Sequence, residues 1–155
     1  MKYLSLALLL SMGLMACNQP KPAEQKTTKN AIFGTWKLIS DRMIMKGDTT
    51  NTYPVKGSDQ VMIKMYNDTH FAFFMHDSKH GKVKMPVYDT GAGTYKLSGT
   101  DYSEHLDYCN YREWENRDFK FKLTIKNDTL TQRGIERIDS LKINREIVET
   151  YLRIK

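Results

Sequence analysis

The chain has 155 residues, a formal net charge of +6 and 40% hydrophobic residues, which suits one globular domain. Its basic residues are spread along predicted strands, as Lys120, Lys122 and Lys126 are, and this argues against a nucleic-acid partner. With two cysteines, Cys17 and Cys109, a disulfide framework is excluded.

Met1 to Ala16 read as a signal peptide: Lys2 is followed by an apolar stretch from Leu4 to Met15, broken only by Ser5, Ser11 and Gly13. The stretch is short of the ~20 apolar residues a membrane-spanning helix needs, so cleavage is expected instead. Leu14-Met15-Ala16-Cys17 resembles the lipobox of bacterial lipoproteins. That resemblance implies cleavage before Cys17, a lipid thioether on its sulfur and acylation of the new amino terminus. More than one acyl chain matters, because a single chain binds membranes only marginally. Asn18 stands where an aspartate would imply inner-membrane retention, so the resemblance points to the outer membrane of a Gram-negative-type cell envelope. A lipidated Cys17 leaves Cys109 without a partner in the chain.

From Asn18 to Ala31 the chain has two prolines, mixed charge and no large apolar side chain, so it reads as a flexible tether. Fourteen such residues span on the order of 20 Å. The folded domain is therefore predicted over residues 32–155.

Beyond Phe33 the apolar residues recur mostly with period two, which predicts half-buried antiparallel strands. Eight are expected: Phe33 to Met45, Val61 to Tyr66, Phe71 to His76, Gly93 to Ser98, Tyr102 to Tyr108, Phe119 to Lys126, Leu130 to Arg133 and Ile147 to Ile154. The joints Asn67-Asp68-Thr69, Gly99-Thr100-Asp101 and Asn127-Asp128 are short and favour hairpins. Cys109 to Arg117 and the Ile135, Ile138, Leu141 spacing read as loop or short helix. The expected fold is all-β, a single antiparallel up-and-down barrel of about eight strands, because closure removes both unpaired edges.

Gly34-Thr35-Trp36 on the first strand is similar to the Gly-X-Trp signature of lipocalins, and Arg153 on the last matches the arginine that family packs over the tryptophan. Gly93-Thr94-Tyr95-Lys96-Leu97, followed by Tyr102 to Tyr108, looks like a motif of uncharacterised lipocalin-like domains found in bacterial lipoproteins. The resemblance covers roughly Gly34 to Lys155 and implies a calycin-type barrel without any established activity. It makes Gly34, Trp36 and Arg153 the residues that close the barrel base, with a cation-π contact of ~0.5 to 2 kcal/mol.

If Phe121 and its period-two companions face inward, so do Tyr95, Leu97, Tyr102, Glu104, Leu106 and Tyr108. Trp36, Tyr95, Tyr102, Glu104, Tyr108 and Phe121 are then the candidate ligand-binding residues. A carboxylate among tyrosines needs a partner such as Arg133, a raised pKa or a ligand. Met43, Met62, Met65 and Met75 could line an adaptable cavity or fill a core.

The enzyme reading rests on Glu104, His105 and Cys109. Along a strand His105 and Cys109 sit ~13 Å apart, too far for a thiolate-imidazole pair. His76, Asp77 and His80 share a loop with Gly81 but follow no zinc spacing. No catalytic residues, metal or cofactor are therefore assigned. The expected function is binding of a small apolar or amphipathic molecule by a lipid-anchored envelope protein. The alternative is a filled barrel that docks onto a protein partner through its outer surface.

Overall fold

The structure, a computed structural model, describes residues 31–84 and 86–155; the expected signal peptide, Cys17 and the expected tether up to residue 30 lie outside the described residues. Nine strands follow one another: β1 (Gly34–Met45), β2 (Asp48–Tyr53), β3 (Gln60–Tyr66), β4 (His70–Asp77), β5 (Tyr88–Ser98), β6 (Asp101–Cys109), β7 (Arg117–Lys126), β8 (Thr129–Ile138) and β9 (Ile143–Ile154). Each strand from β3 to β8 pairs antiparallel with its successor, and β9 pairs back onto β1. Eight strands thus close a barrel.

The ninth strand is β2, which was not predicted. Its sequence, Asp-Thr-Thr-Asn-Thr-Tyr, has no apolar alternation to reveal it. It forms because Lys46 and Gly47, both at positive φ, make a two-residue turn that folds it back on β1. β1 therefore divides one edge between two neighbours: Gly34 to Lys37 pair with β3, and Asp41 to Met45 pair with β2.

One further expectation is corrected. Ile135 and Ile138 belong to β8, which runs well past Arg133, and a 3-10 turn, Asp139–Leu141, follows it. The stretch after Cys109 is, as expected, loop with a short 3-10 helix, Arg112–Trp114.

Inside, the side chains follow the pleat. Phe71, Phe119, Phe121, Leu123, Leu130 and Tyr151 are at most 5% exposed and fill much of the interior. Two bulges reset the alternation. On β1 the register against β9 jumps between Leu38 and Ser40, leaving Ile39 unpaired and 40% exposed. On β6 the register against β5 jumps from Leu106 to Tyr108. Gly93 sits beside that second bulge, where an added Cβ would lie 1.9 Å from the His105 carbonyl oxygen.

At one end the barrel is plugged. Trp36 is fully buried and its indole N–H donates to the Ile32 carbonyl at 2.8 Å. The Arg153 guanidinium lies 4.0 Å from the centre of the Trp36 ring and donates to the Phe33 carbonyl at 2.6 Å. Gly34 turns the chain into β1 at φ +117 and leaves room beneath the guanidinium, since a Cβ there would meet Arg153 Nη1 at 3.2 Å.

Gly93→Ala is expected to cost about 2 to 3 kcal/mol in urea unfolding, because the methyl would meet backbone that the β6 bulge holds in place. Gly47→Ala, with open space around it but positive φ, is expected to cost about 1 kcal/mol.

Candidate functional site

Above the plug lies a cavity of about 340 Å³, bordered by residues of β1 through β9 and the turn after β6. Its apolar wall includes Leu38, Met62, Phe73, Met75, Leu106, Trp114, Phe119 and Ile147. Trp114 stacks on Phe119 with ring centres 5.8 Å apart, so the short turn at Arg112–Trp114 closes over one side. The charged groups that face the cavity are Asp41, Lys64, Asp89, Glu104, Glu136 and Glu149.

Lys64 is 3% exposed, in the middle of a strand otherwise made of apolar side chains and Gln60. Its ammonium donates to Glu104 Oε2 at 2.9 Å and to Gln132 Oε1 at 3.2 Å, and sits 5.0 Å from the centre of the Phe71 ring. Burial alone would lower its pKa. The charge of Glu104 outweighs that with help from Tyr66 and Glu149, and the net direction is upward, so Lys64 stays an ammonium. The Tyr102 hydroxyl donates to the same Glu104 oxygen at 2.8 Å.

On the neighbouring arc the compensation is incomplete. Burial is the main cause that pushes the Glu149 carboxyl up to about 7; Lys64 opposes it, while Asp41 and Glu136 add to it. The Tyr151 hydroxyl donates to Glu149 Oε2 at 2.9 Å. Glu136 is also pushed up by burial, although Arg145 donates to it at 2.7 Å and counteracts the rise. Asp41 accepts from the Thr52 hydroxyl through Oδ2, and its Oδ1 is buried with no partner among the described residues. Tyr66 is pushed up to about 12, chiefly by burial, and its hydroxyl is likewise buried without a partner.

Of the six sequence candidates for ligand binding, Glu104 alone borders this cavity. Trp36 belongs to the plug, and Tyr95, Tyr102 and Phe121 are buried in the packed part of the barrel, Tyr102 and Phe121 with ring centres 6.2 Å apart. Tyr108 is corrected to the outside: it is 70% exposed because the β6 bulge inverts the alternation after Leu106. Cys109 takes the inward place, and burial pushes its thiol up. The suggested partner Arg133 instead bonds Glu146 on the surface at 2.6 Å.

Lys64, Gln132 and Glu149 went unnoticed although their signal was available. Gln132 shares the period-two face of Leu130, and Glu149 that of Ile147 and Tyr151. Asp41 was hidden, because only the bulge at Ile39 turns it inward.

His105 lies 3.0 Å from Asp118 and 3.6 Å from Asp107, while Cys109 points inward, so the two do not meet. In the His76 to Gly81 loop the Asp77 carboxylate accepts backbone N–H groups of Lys79, Gly81 and Val87. Among the described residues no group of three or more His, Cys, Asp or Glu side chains could hold a metal ion.

No family model matches the sequence, and no curated protein matches it. Among solved structures the fold is similar to a lipocalin-like protein from Bacteroides uniformis, at 16% identity and a TM-score of 0.48, over 79% of this chain and 98% of that one. It is also similar to an uncharacterized protein from Bacteroides eggerthii, at 13% identity and a TM-score of 0.46, over 77% of this chain and 99% of that one.

Lys64→Met is expected to destabilise the fold by about 3 to 5 kcal/mol in urea unfolding, because Glu104 is left buried without its counter-charge. Adding Glu104→Gln should recover a large part of that loss. For Glu149 the folded pKa lies above the ordinary 4.5, so the native state holds the proton longer than the unfolded chain does. Its contribution favours folding below about 4.5, declines as pH rises from there to about 7, and is flat above. Glu149→Gln is expected to raise stability at pH 8 by roughly 2 to 3 kcal/mol and to flatten this part of the pH profile, as read by urea unfolding across pH 4 to 8.

Proposed function

We propose that this protein is a lipid-anchored envelope protein whose barrel takes up a small amphipathic molecule. The cavity carries the binding part of this reading: an eight-stranded barrel is only just wide enough to be filled by its own side chains, yet about 340 Å³ is left. Its lining divides into an apolar wall and a polar arc, a division that suits a molecule with one greasy and one polar end. We propose no reaction and no cofactor.

The anchoring part is supported by the sequence alone: Lys2, the apolar stretch, Ala16 and Cys17, then a polar tether before the barrel. Under this reading the domain works within tether reach of a membrane, the outer one on the evidence of Asn18. Labelling cells with a radioactive fatty acid is expected to mark the protein, and Cys17→Ser should abolish the label and release the protein from the membrane fraction. A label that survives the substitution would remove the anchor.

For the cavity, residues 17–155 carrying Cys17→Ser, which keep the tether and lose the lipid site, are to be weighed intact by native mass spectrometry. A co-purified small mass is expected. A bare protein that also refuses a hydrophobic dye would shift the choice to the second reading, docking onto a protein partner. That reading has its own support in Ile39, Met65, Leu152 and Ile154, which are 37 to 46% exposed on the outer face of the adjacent strands β1, β3 and β9.

A further inference from the structure

The inference concerns the charge of the occupant and rests on the interior-binding reading above. Five acidic side chains and one lysine face the cavity. The basic groups within reach are already committed: Lys64 to Glu104 and Gln132, Arg145 to Glu136. Asp89 accepts from the Tyr111 hydroxyl at 2.7 Å near the rim, where Tyr111 is 51% exposed.

Asp41 and Glu149 remain. They are direct cross-strand partners on β1 and β9; the Ile39 bulge turns Asp41 inward, and Glu149 shares the inner face of Ile147 and Tyr151. Neither has an ion pair among the described residues, and each is met by a hydroxyl, Thr52 for Asp41 and Tyr151 for Glu149. A hydroxyl satisfies a lone pair without cancelling charge. The buried, unpartnered Asp41 Oδ1 is an independent sign that a donor is missing there, since buried acceptors are rarely left unmade.

We propose that the occupant is an amphipathic organic cation, its ammonium group held between Asp41 and Glu149 and its apolar part turned toward Phe73, Leu106 and Phe119 on strands across the barrel. A bare metal ion is disfavoured by the donor set, since two carboxylates and two hydroxyls stand beside a largely apolar wall. An anion would meet a cavity whose single lysine is already neutralised.

The pairing has a pH signature. Glu149 faces Asp41 on β1, Gln132 and Glu136 on β8, Lys64 on β3, Glu104 on β6 and Tyr151 on its own strand. Burial pushes its carboxyl up to about 7. A bound ammonium favours the ionised carboxylate, so binding below that pH expels a proton and affinity rises with pH until it levels off above it.

The test is isothermal titration calorimetry of residues 17–155 carrying Cys17→Ser, with matched alkyl series of four, six and eight carbons ending in ammonium, hydroxyl or carboxylate. At pH 8 the ammonium series is expected to bind about tenfold or more tighter than the alcohols and the carboxylates, and to lose about tenfold at pH 5.5. Asp41→Asn and Glu149→Gln should each reduce the ratio of ammonium to alcohol affinity by about tenfold, and the second should flatten the pH dependence. Should either variant fail to fold, the pH profile of the unsubstituted residues decides alone. Alcohols or carboxylates that bind as well as ammonium, or an ammonium preference that survives both substitutions, would overturn the inference and leave the interior-binding reading standing. If no series binds, that reading falls and takes this one with it.

Discussion

Closure of β1 onto β9 is the constraint on which the remaining structure depends. Once the two ends of the sheet meet, every side chain is either inside, removed from bulk water, or outside, and a shift of one residue exchanges the two. The Trp36 and Arg153 stack sits on this seam, where residues of β1 and β9 are paired in register. It fixes which residues of the first and last strands are opposite each other and hence which reach the interior. The two bulges act within that frame. Each adds a residue to one strand and inverts its alternation, which is how Asp41 and Cys109 come to face inward while Tyr108 faces water.

What closure encloses is unusual for a small barrel. A lysine and several carboxylates occupy positions that aliphatic side chains could fill, and a buried ion pair is weak evidence for stability, because desolvation cancels much of the attraction. Lys64 and Glu104 offset one another, but the adjoining arc of Asp41, Glu136 and Glu149 carries more negative charge than Arg145 and Lys64 neutralise. An interior arranged only for stability would not keep a carboxyl whose ionisation opposes folding. Under the proposed function the polar arc is a feature kept for recognition, with the packed aromatic end supplying the rigidity behind it.

Most of the architecture was legible because half-buried antiparallel strands write their faces into the sequence, and β7, with Phe119, Phe121, Leu123 and Ile125, is the plainest case. The number of barrel strands, the closing strands and the hairpins all followed from that period and from short turns. β2 escaped because its threonines and asparagine give it no buried face of its own. The cavity was less legible than the walls. Period two places Gln132 and Glu149 inward, but attention to apolar residues passes over a polar one on an apolar face. Bulges defeat the method outright, since Leu106 and Cys109 share the interior at a spacing of three, and nothing in Leu106-Asp107-Tyr108 announces an extra residue. Glu104 was singled out as a carboxylate among tyrosines, yet its partner is Lys64, three strands away on β3, and not Arg133.

The chain has two tryptophans, and the fold puts them in opposite circumstances. Trp36 is sealed in the plug with its N–H committed to a carbonyl, so its emission belongs to the intact barrel and no dissolved quencher reaches it while the base is closed. Trp114 stands on the cavity wall against Phe119, with Arg145 5.9 Å from its ring. Two indoles of one chemistry thus report two separate things: a blue, unquenchable component that lasts as long as the fold, and a second whose colour and accessibility follow the surroundings of the cavity wall.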